Sequence, residues 1–144
     1  MAEPPLSPPG SLPAALELLP AGPLTLRLAA PASKSVTNRA LLCAALASGT
    51  SQLHGAAASD DAEAMAAALG ELGAQVAAGP ASWTVVGTGG RLASPARPLD
   101  ARLSGTTMRF LAAAATLTPA GATVTGAAPL LRRPVGPLVA ALRA

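Results

Sequence analysis

One lysine stands among nine arginines in this chain, within the stretch PASKSVTNRALLCAALASGT, Pro31 to Thr50. Lys34 lies between Ser33 and Ser35, follows a Pro-Ala step, and precedes an apolar run of helical character. At a helix start the first backbone N–H groups lack partners and the macrodipole is positive, which favours an anion. A serine hydroxyl adds a donor, and Lys34 adds a compact charge on a long stem. Arg39 follows Ser35 by four residues, on the same helix face, and can fork onto a phosphate or carboxylate. Two readings stand at this point: an anion site, or an ordinary serine cap beside two solvated cations.

The arrangement recurs further along. In SGTTMR, Ser104, Gly105, Thr106 and Thr107 open a helix, and Arg109 comes four residues after Gly105. Gly105 lets an anion approach the backbone closely, and the threonine hydroxyls are further donors. The plainer reading is a simple Gly-Thr cap. Arg132 and Arg133 directly precede Pro134, a residue suited to the first turn of a helix. Alone, such a pair reads as surface charge. Asp60 and Asp61 are adjacent at another helix start, where capping and the dipole account for them. No two carboxylates are spaced for acid–base work, and no Ser-His-Asp arrangement occurs. With one histidine and one cysteine there is no metal-ligand cluster and no internal disulfide. His54 reads as a surface strand residue, and Cys43 as a small buried residue rather than a nucleophile. These groups can hold anions but are poorly equipped to move protons, as a half-site would be.

The elements that must position them can be read from the pattern. At 144 residues the chain is one domain, or part of something larger. Half of it is hydrophobic, but mostly alanine, and the aromatics are Trp83 and Phe110, so the core is thin. The net charge of +3 is unclustered, with no basic stripe to engage nucleic acid. MAEPPLSPPG is not a secretory signal, and ALLCAALA and FLAAAATL are too short to span a membrane. The expectation is a soluble cytoplasmic protein with no metal and no cofactor.

Residues 1–23 read as a proline-rich, disordered leader. An alternating strand follows from Leu24 to about Ala29, then a helix from about Ser35 to Ala47, stopped by Ser48-Gly49. TSQLHG is a short strand, and SDDAEAMAAALGELG is a helix capped by Ser59 and closed by Gly73. AQVA and WTVVG are strands joined through Gly79-Pro80. The order β-α-β-α-β-β fills about 24–90. A second unit, about 99–144, begins again with LDARL, TTMRFLAAAATL, ATVTG and PVGPLVAALRA. Arg39 aligns with Arg109, SGTSQLHGAA with PAGATVTGAA, and Ala68-Leu69 with Ala141-Leu142, at offsets of about 70 residues. The expected fold is therefore α/β (α+β), built of repeated β-α-β-α-β-β units, the first complete and the second incomplete. A chain ending inside that second unit implies uncovered sheet edges and a missing continuation.

PASKSVTNRALLCAALASGTSQLHG, SDDAEAMAAALGELGA, GTTMR and RRPVGPLVAAL, in that order, resemble the N-terminal part of the EPSP synthase (3-phosphoshikimate 1-carboxyvinyltransferase) family. The resemblance runs from about Leu24 to the C-terminus and identifies a partial enolpyruvyl transferase domain. It implies transfer of the enolpyruvyl group of phosphoenolpyruvate to the 5-hydroxyl of shikimate 3-phosphate, with release of phosphate. That reaction belongs to the route to chorismate and aromatic amino acids. It also implies two similar lobes of repeated units that close on two small-molecule substrates, without a protein partner, nucleic acid or membrane. By resemblance, Lys34 touches both substrates, and Ser35 and Arg39 hold shikimate 3-phosphate. Gly105 and Arg133 bind phosphoenolpyruvate, and Thr106 and Arg109 line that region. The acid–base groups come from the part not carried here, so no catalytic residue is expected in this chain. A lysine suits a place between two anions, where a planar guanidinium fits poorly. Leu103-Ser104 replaces the family's usual Asn-Ala or Asn-Ser, and Pro129-Leu130-Leu131 its frequent Pro-Arg-Met. Two alternatives remain: a non-catalytic remnant with at most anion binding, and the UDP-N-acetylglucosamine enolpyruvyl transferases. The latter are disfavoured by Ser33-Lys34-Ser35 and by the lack of a reactive cysteine in a later loop.

Overall fold

Alanine-rich segments with an apolar stripe form the long helices: α1 (Lys34–Leu46), α2 (Asp60–Glu71) and α3 (Gly105–Ala115). The structure, a computed structural model, describes residues 15, 17, 19, 20, 22, 23, 25 and 27–144. Each of the three helices is opened by a serine. Ser33, Ser59 and Ser104 accept from the backbone N–H of Val36, Ala62 and Thr107 at 3.4, 3.3 and 3.2 Å. A serine at this position satisfies one orphan donor, and replacing it by alanine costs ~1 kcal/mol.

Between the first two helices lies β1 (Thr50–His54), and after α2 come β2 (Gln75–Ala78) and β3 (Ser82–Val86). They form an antiparallel sheet in the order β1-β3-β2, with Leu53 opposite Trp83 and Val76 opposite Val85. The two-residue alternation of β3 sends Trp83 and Val85 into the core. Gly87 ends this sheet against α1: a Cβ there would collide with the carbonyl oxygens of Ala44 and Ala47. Gly73 follows α2 with φ of 99°, the left-handed cap that a glycine adopts without strain.

The second half holds β4 (Leu99–Asp100) and β5 (Val124–Thr125), paired in parallel, then α4 (Ala128–Leu131) and α5 (Gly136–Arg143). Leu41, Met65, Leu69, Leu72, Leu99 and Leu111 are fully buried and form one core with Trp83 and Val85. A smaller cluster joins Ala101, Met108 and Leu130. The core joins α1, α2 and α3, and the first turns of these helices carry the site. The chain divides into Met1–Ala30 and Pro31–Ala144, and every helix and strand among the described residues belongs to the second part.

Several expectations are corrected. Of the strand expected at 24–29, Thr25, Arg27, Leu28 and Ala29 carry no strand pairing, while Leu24 and Leu26 lie outside the described residues. Most of the expected leader lies outside them too. LDARL and ATVTG contribute only two strand residues each, because the chain leaves the ladder for the turn at Arg102 and for Gly126. α4 was not expected, and Pro134 precedes the last helix, Pro137 occupying its first turn instead. Cys43 is exposed. The buried stripe of α1 is Thr37, Asn38, Leu41, Ala44 and Ala45, and Cys43 falls about 200° round the helix from Leu41. No helix among the described residues is long and apolar enough to cross a membrane.

Candidate functional site

The three serine-capped starts face one open cleft of about 380 Å³, lined by Lys34, Asp61, Leu103, Gly105, Thr106, Arg109 and Arg133. Lys34 is the first residue of α1, Asp61 the second of α2, and Gly105 and Thr106 the first two of α3. Arg109 stands one turn further along α3, and Arg133 comes from the turn between α4 and α5. The unpaired N–H groups and positive dipole ends of the helices add to three cationic side chains in this space.

Two guanidinium groups converge over Gly105. A Cβ there would lie 3.1 Å from Nη1 of Arg109 and 3.1 Å from Nη1 of Arg133. Any larger residue would therefore displace the arginine tips. Arg109 is held by neutral acceptors: Nη1 donates to the Gly105 carbonyl and Nη2 to the Pro134 carbonyl, each at 3.1 Å. Its charge is oriented but not neutralised, so it stays available to an anion. Lys34 Nζ is 3.3 Å from Asp61 Oδ2, and the lysine is largely in water, so solvent screens this pair. Asp61 is the one carboxylate lining the cleft.

Asp60, its neighbour, turns the opposite way and accepts from Arg102, which also donates to Glu63 at 3.3 Å. The hydrogen bond to Asp60, then that to Glu63, raises the Arg102 pKa above its ordinary value. A larger hollow, about 520 Å³, lies between residues 95–98 and 120–123, but its one charged group is Arg97. That guanidinium donates from Nε to Glu71 at 2.9 Å, and the carboxylate raises its pKa. It is thus committed elsewhere.

Of the residues singled out in the sequence, Lys34, Gly105, Thr106, Arg109 and Arg133 line the cleft together. Ser35 and Arg39 do not. Arg39 Nη1 donates to the Ser35 carbonyl at 2.8 Å, and its guanidinium lies 5.7 Å from the Phe110 ring centroid, a cation–π contact on the exposed side of α1. Arg132 caps α4 and stays outside the cleft lining. Thr107 was expected to offer its hydroxyl to a ligand but is fully buried, and it bonds to Asn38 and to the Asp61 carbonyl. Asp61 and Leu103 were not assigned to the site. For Asp61 the doublet itself was the available signal, since capping and the dipole need only one acid. For Asn38 it was an amide on the apolar stripe of a helix.

The fold and the cleft thus define an α/β chain that gathers cationic side chains at helix starts, where positive charge and free backbone N–H groups favour an anion. The sequence model of EPSP synthase (3-phosphoshikimate 1-carboxyvinyltransferase) matches residues 19–144, and the chain belongs to that family. It is 51% identical over 104 residues to the 3-phosphoshikimate 1-carboxyvinyltransferase of Rhizobium leguminosarum bv. trifolii, covering 71% of this chain and 24% of that protein. It is 47% identical over 102 residues to that of Pseudomonas savastanoi pv. phaseolicola, covering 70% and 24%. An EPSP synthase structure from Acinetobacter baumannii superposes with a TM-score of 0.70 at 30% identity, over 78% of this chain and 26% of that one. The chain spans about a quarter of the length of these relatives.

Proposed function

We propose that this chain supplies the phosphoenolpyruvate-binding cleft and part of the shikimate 3-phosphate site of a cytoplasmic 3-phosphoshikimate 1-carboxyvinyltransferase that acts without a protein partner. In that reaction the 5-hydroxyl oxygen of shikimate 3-phosphate gives up its proton and bonds to C2 of phosphoenolpyruvate, the C–O bond to phosphate breaks, and phosphate leaves carrying, in net, that proton. Arg109 and Arg133 would hold the carboxylate and phosphate of phosphoenolpyruvate over Gly105 and Thr106. Lys34 would stand between the two substrates, exchanging Asp61 for a ligand oxygen. Ser35 and Arg39 would take shikimate 3-phosphate. The observation that carries this reading is the convergence of the Arg109 and Arg133 guanidinium groups over Gly105, neither paired with a carboxylate among the described residues, with Lys34 lining the same cleft. Charge of this kind stabilises what develops on the transferred group in the transition state.

The test is phosphate release by the full-length protein given both substrates. Arg133→Ala should raise KM for phosphoenolpyruvate at least ~10-fold, the equivalent of one charge-assisted contact. Turnover with an unchanged KM would remove Arg133 from the site. A second reading, anion binding without turnover, is favoured by one fact: the cleft's single carboxylate, Asp61, is already engaged by Lys34. Binding without phosphate release in the full-length protein would support it.

A further inference from the structure

Beneath the cleft, Asn38 and Thr107 are buried at 1% and 0% exposure, and their side chains meet. Asn38 Nδ2 donates to Thr107 Oγ1 at 3.0 Å, and that hydroxyl donates onward to the Asp61 carbonyl at 3.3 Å. One short polar chain therefore ties α1, α3 and α2, in that order, just under the turns that carry Lys34, Gly105 and Asp61. Asn38 Oδ1 is buried and has no hydrogen-bond partner among the described residues. An apolar residue of similar size would fill the same space without that penalty, so packing alone does not explain an amide here. What the amide adds is direction. Apolar contacts among Leu41, Met65 and Leu111 are non-directional, whereas a donor–acceptor pair also requires one distance and alignment between the helices.

We propose that Asn38 and Thr107 are positioning residues of the cleft. Their hydrogen bonds set the axial register of α1 against α3, and so the distance between Lys34 and the cations over Gly105. Neither side chain lines the cleft. They act through the backbone of the turns above them, where misplacement by ~1 Å can cost up to ~100-fold in rate. The proposal rests on the anion-binding reading of the cleft.

The test compares three forms of the full-length protein with wild type: Asn38→Leu/Thr107→Val together, Thr107→Ser, and Arg133→Ala. The double variant replaces both partners by apolar groups of similar shape, which leaves stability nearly unchanged. Phosphoenolpyruvate is titrated by calorimetry, and thermal midpoints are recorded alongside. The double variant should melt with wild type yet bind at least ~10-fold more weakly. Thr107→Ser, which keeps the hydroxyl, should bind as wild type does. If the double variant binds normally while Arg133→Ala binds weakly, the positioning role is overturned and the cleft reading stands. If the double variant fails to fold, or Thr107→Ser is as weak as it is, the pair serves the core and the proposal is again overturned. If Arg133→Ala binds as wild type does, the cleft reading fails, and this proposal with it.

Discussion

Over Gly105 a Cβ would sit 3.1 Å from the Nη1 atoms of both Arg109 and Arg133, a contact tighter than ordinary packing. Gly105→Ala should therefore push the arginine tips outward by a few tenths of an ångström while leaving the helix intact, since alanine is the better helix former. Calorimetry should show phosphoenolpyruvate binding ~10-fold weaker, about 1.4 kcal/mol, with a thermal midpoint equal to or above wild type. Unaltered affinity would mean that the tips do not meet the ligand. Lys34 poses a different question, because its partner is an anion of the protein itself. Lys34→Arg keeps the charge but replaces a compact ammonium by a planar fork that pairs with Asp61 more firmly. Turnover by the full-length protein should fall severely, and near-normal turnover would refute the role given to the lone lysine. Arg39→Ala leaves the cleft untouched, so it should spare phosphoenolpyruvate. It should cost shikimate 3-phosphate about 1.5–3 kcal/mol, read as a separate titration.

At the scale of elements, the helix starts matter more than the helix bodies. α1, α2 and α3 each place a serine cap, then one or two cleft residues, then an inward stripe of alanine and leucine. Because alanine is small, the helices approach closely and the sheet must fit against them without slack. Gly87 is where that fit is tightest, β3 ending directly on the carbonyls of Ala44 and Ala47. Gly87→Ala should destabilise the full-length protein by ~1–3 kcal/mol, the usual cost of overpacking. Urea denaturation gives the measurement, and an unshifted midpoint would show that α1 can move aside. α5 makes the contrast. None of its residues is buried, although Leu138, Val139 and Leu142 are apolar.

At the scale of the molecule, the described residues hold binding charge and one cleft carboxylate that is already paired. General acid–base assistance contributes ~10²–10⁴-fold, and closure of a second lobe excludes water and completes a site. The 144 residues by themselves should therefore show no phosphate release with both substrates, while a mixture with a polypeptide supplying the rest of a synthase should. Turnover by this chain alone would overturn the view that it furnishes half of a site.

Much of this was legible in the residues before any coordinates. The cap at Ser59, the serines near the starts of the other two long helices, and the apolar runs behind them all depend on contiguous residues. Local propensity and hydrogen bonding within one turn settle them. The tertiary structure alone decided which groups meet. It sent Asp61 to Lys34 but Asp60 to Arg102, and left Arg39 outside the cleft on the far side of α1. It also turned Thr107 inward onto Asn38, 69 residues away in the chain. Such outcomes follow from the crossing of α1, α2 and α3, set by volumes and hydrogen bonds in a shared core. Neighbouring residues of like chemistry are told apart only by which way that packing turns them.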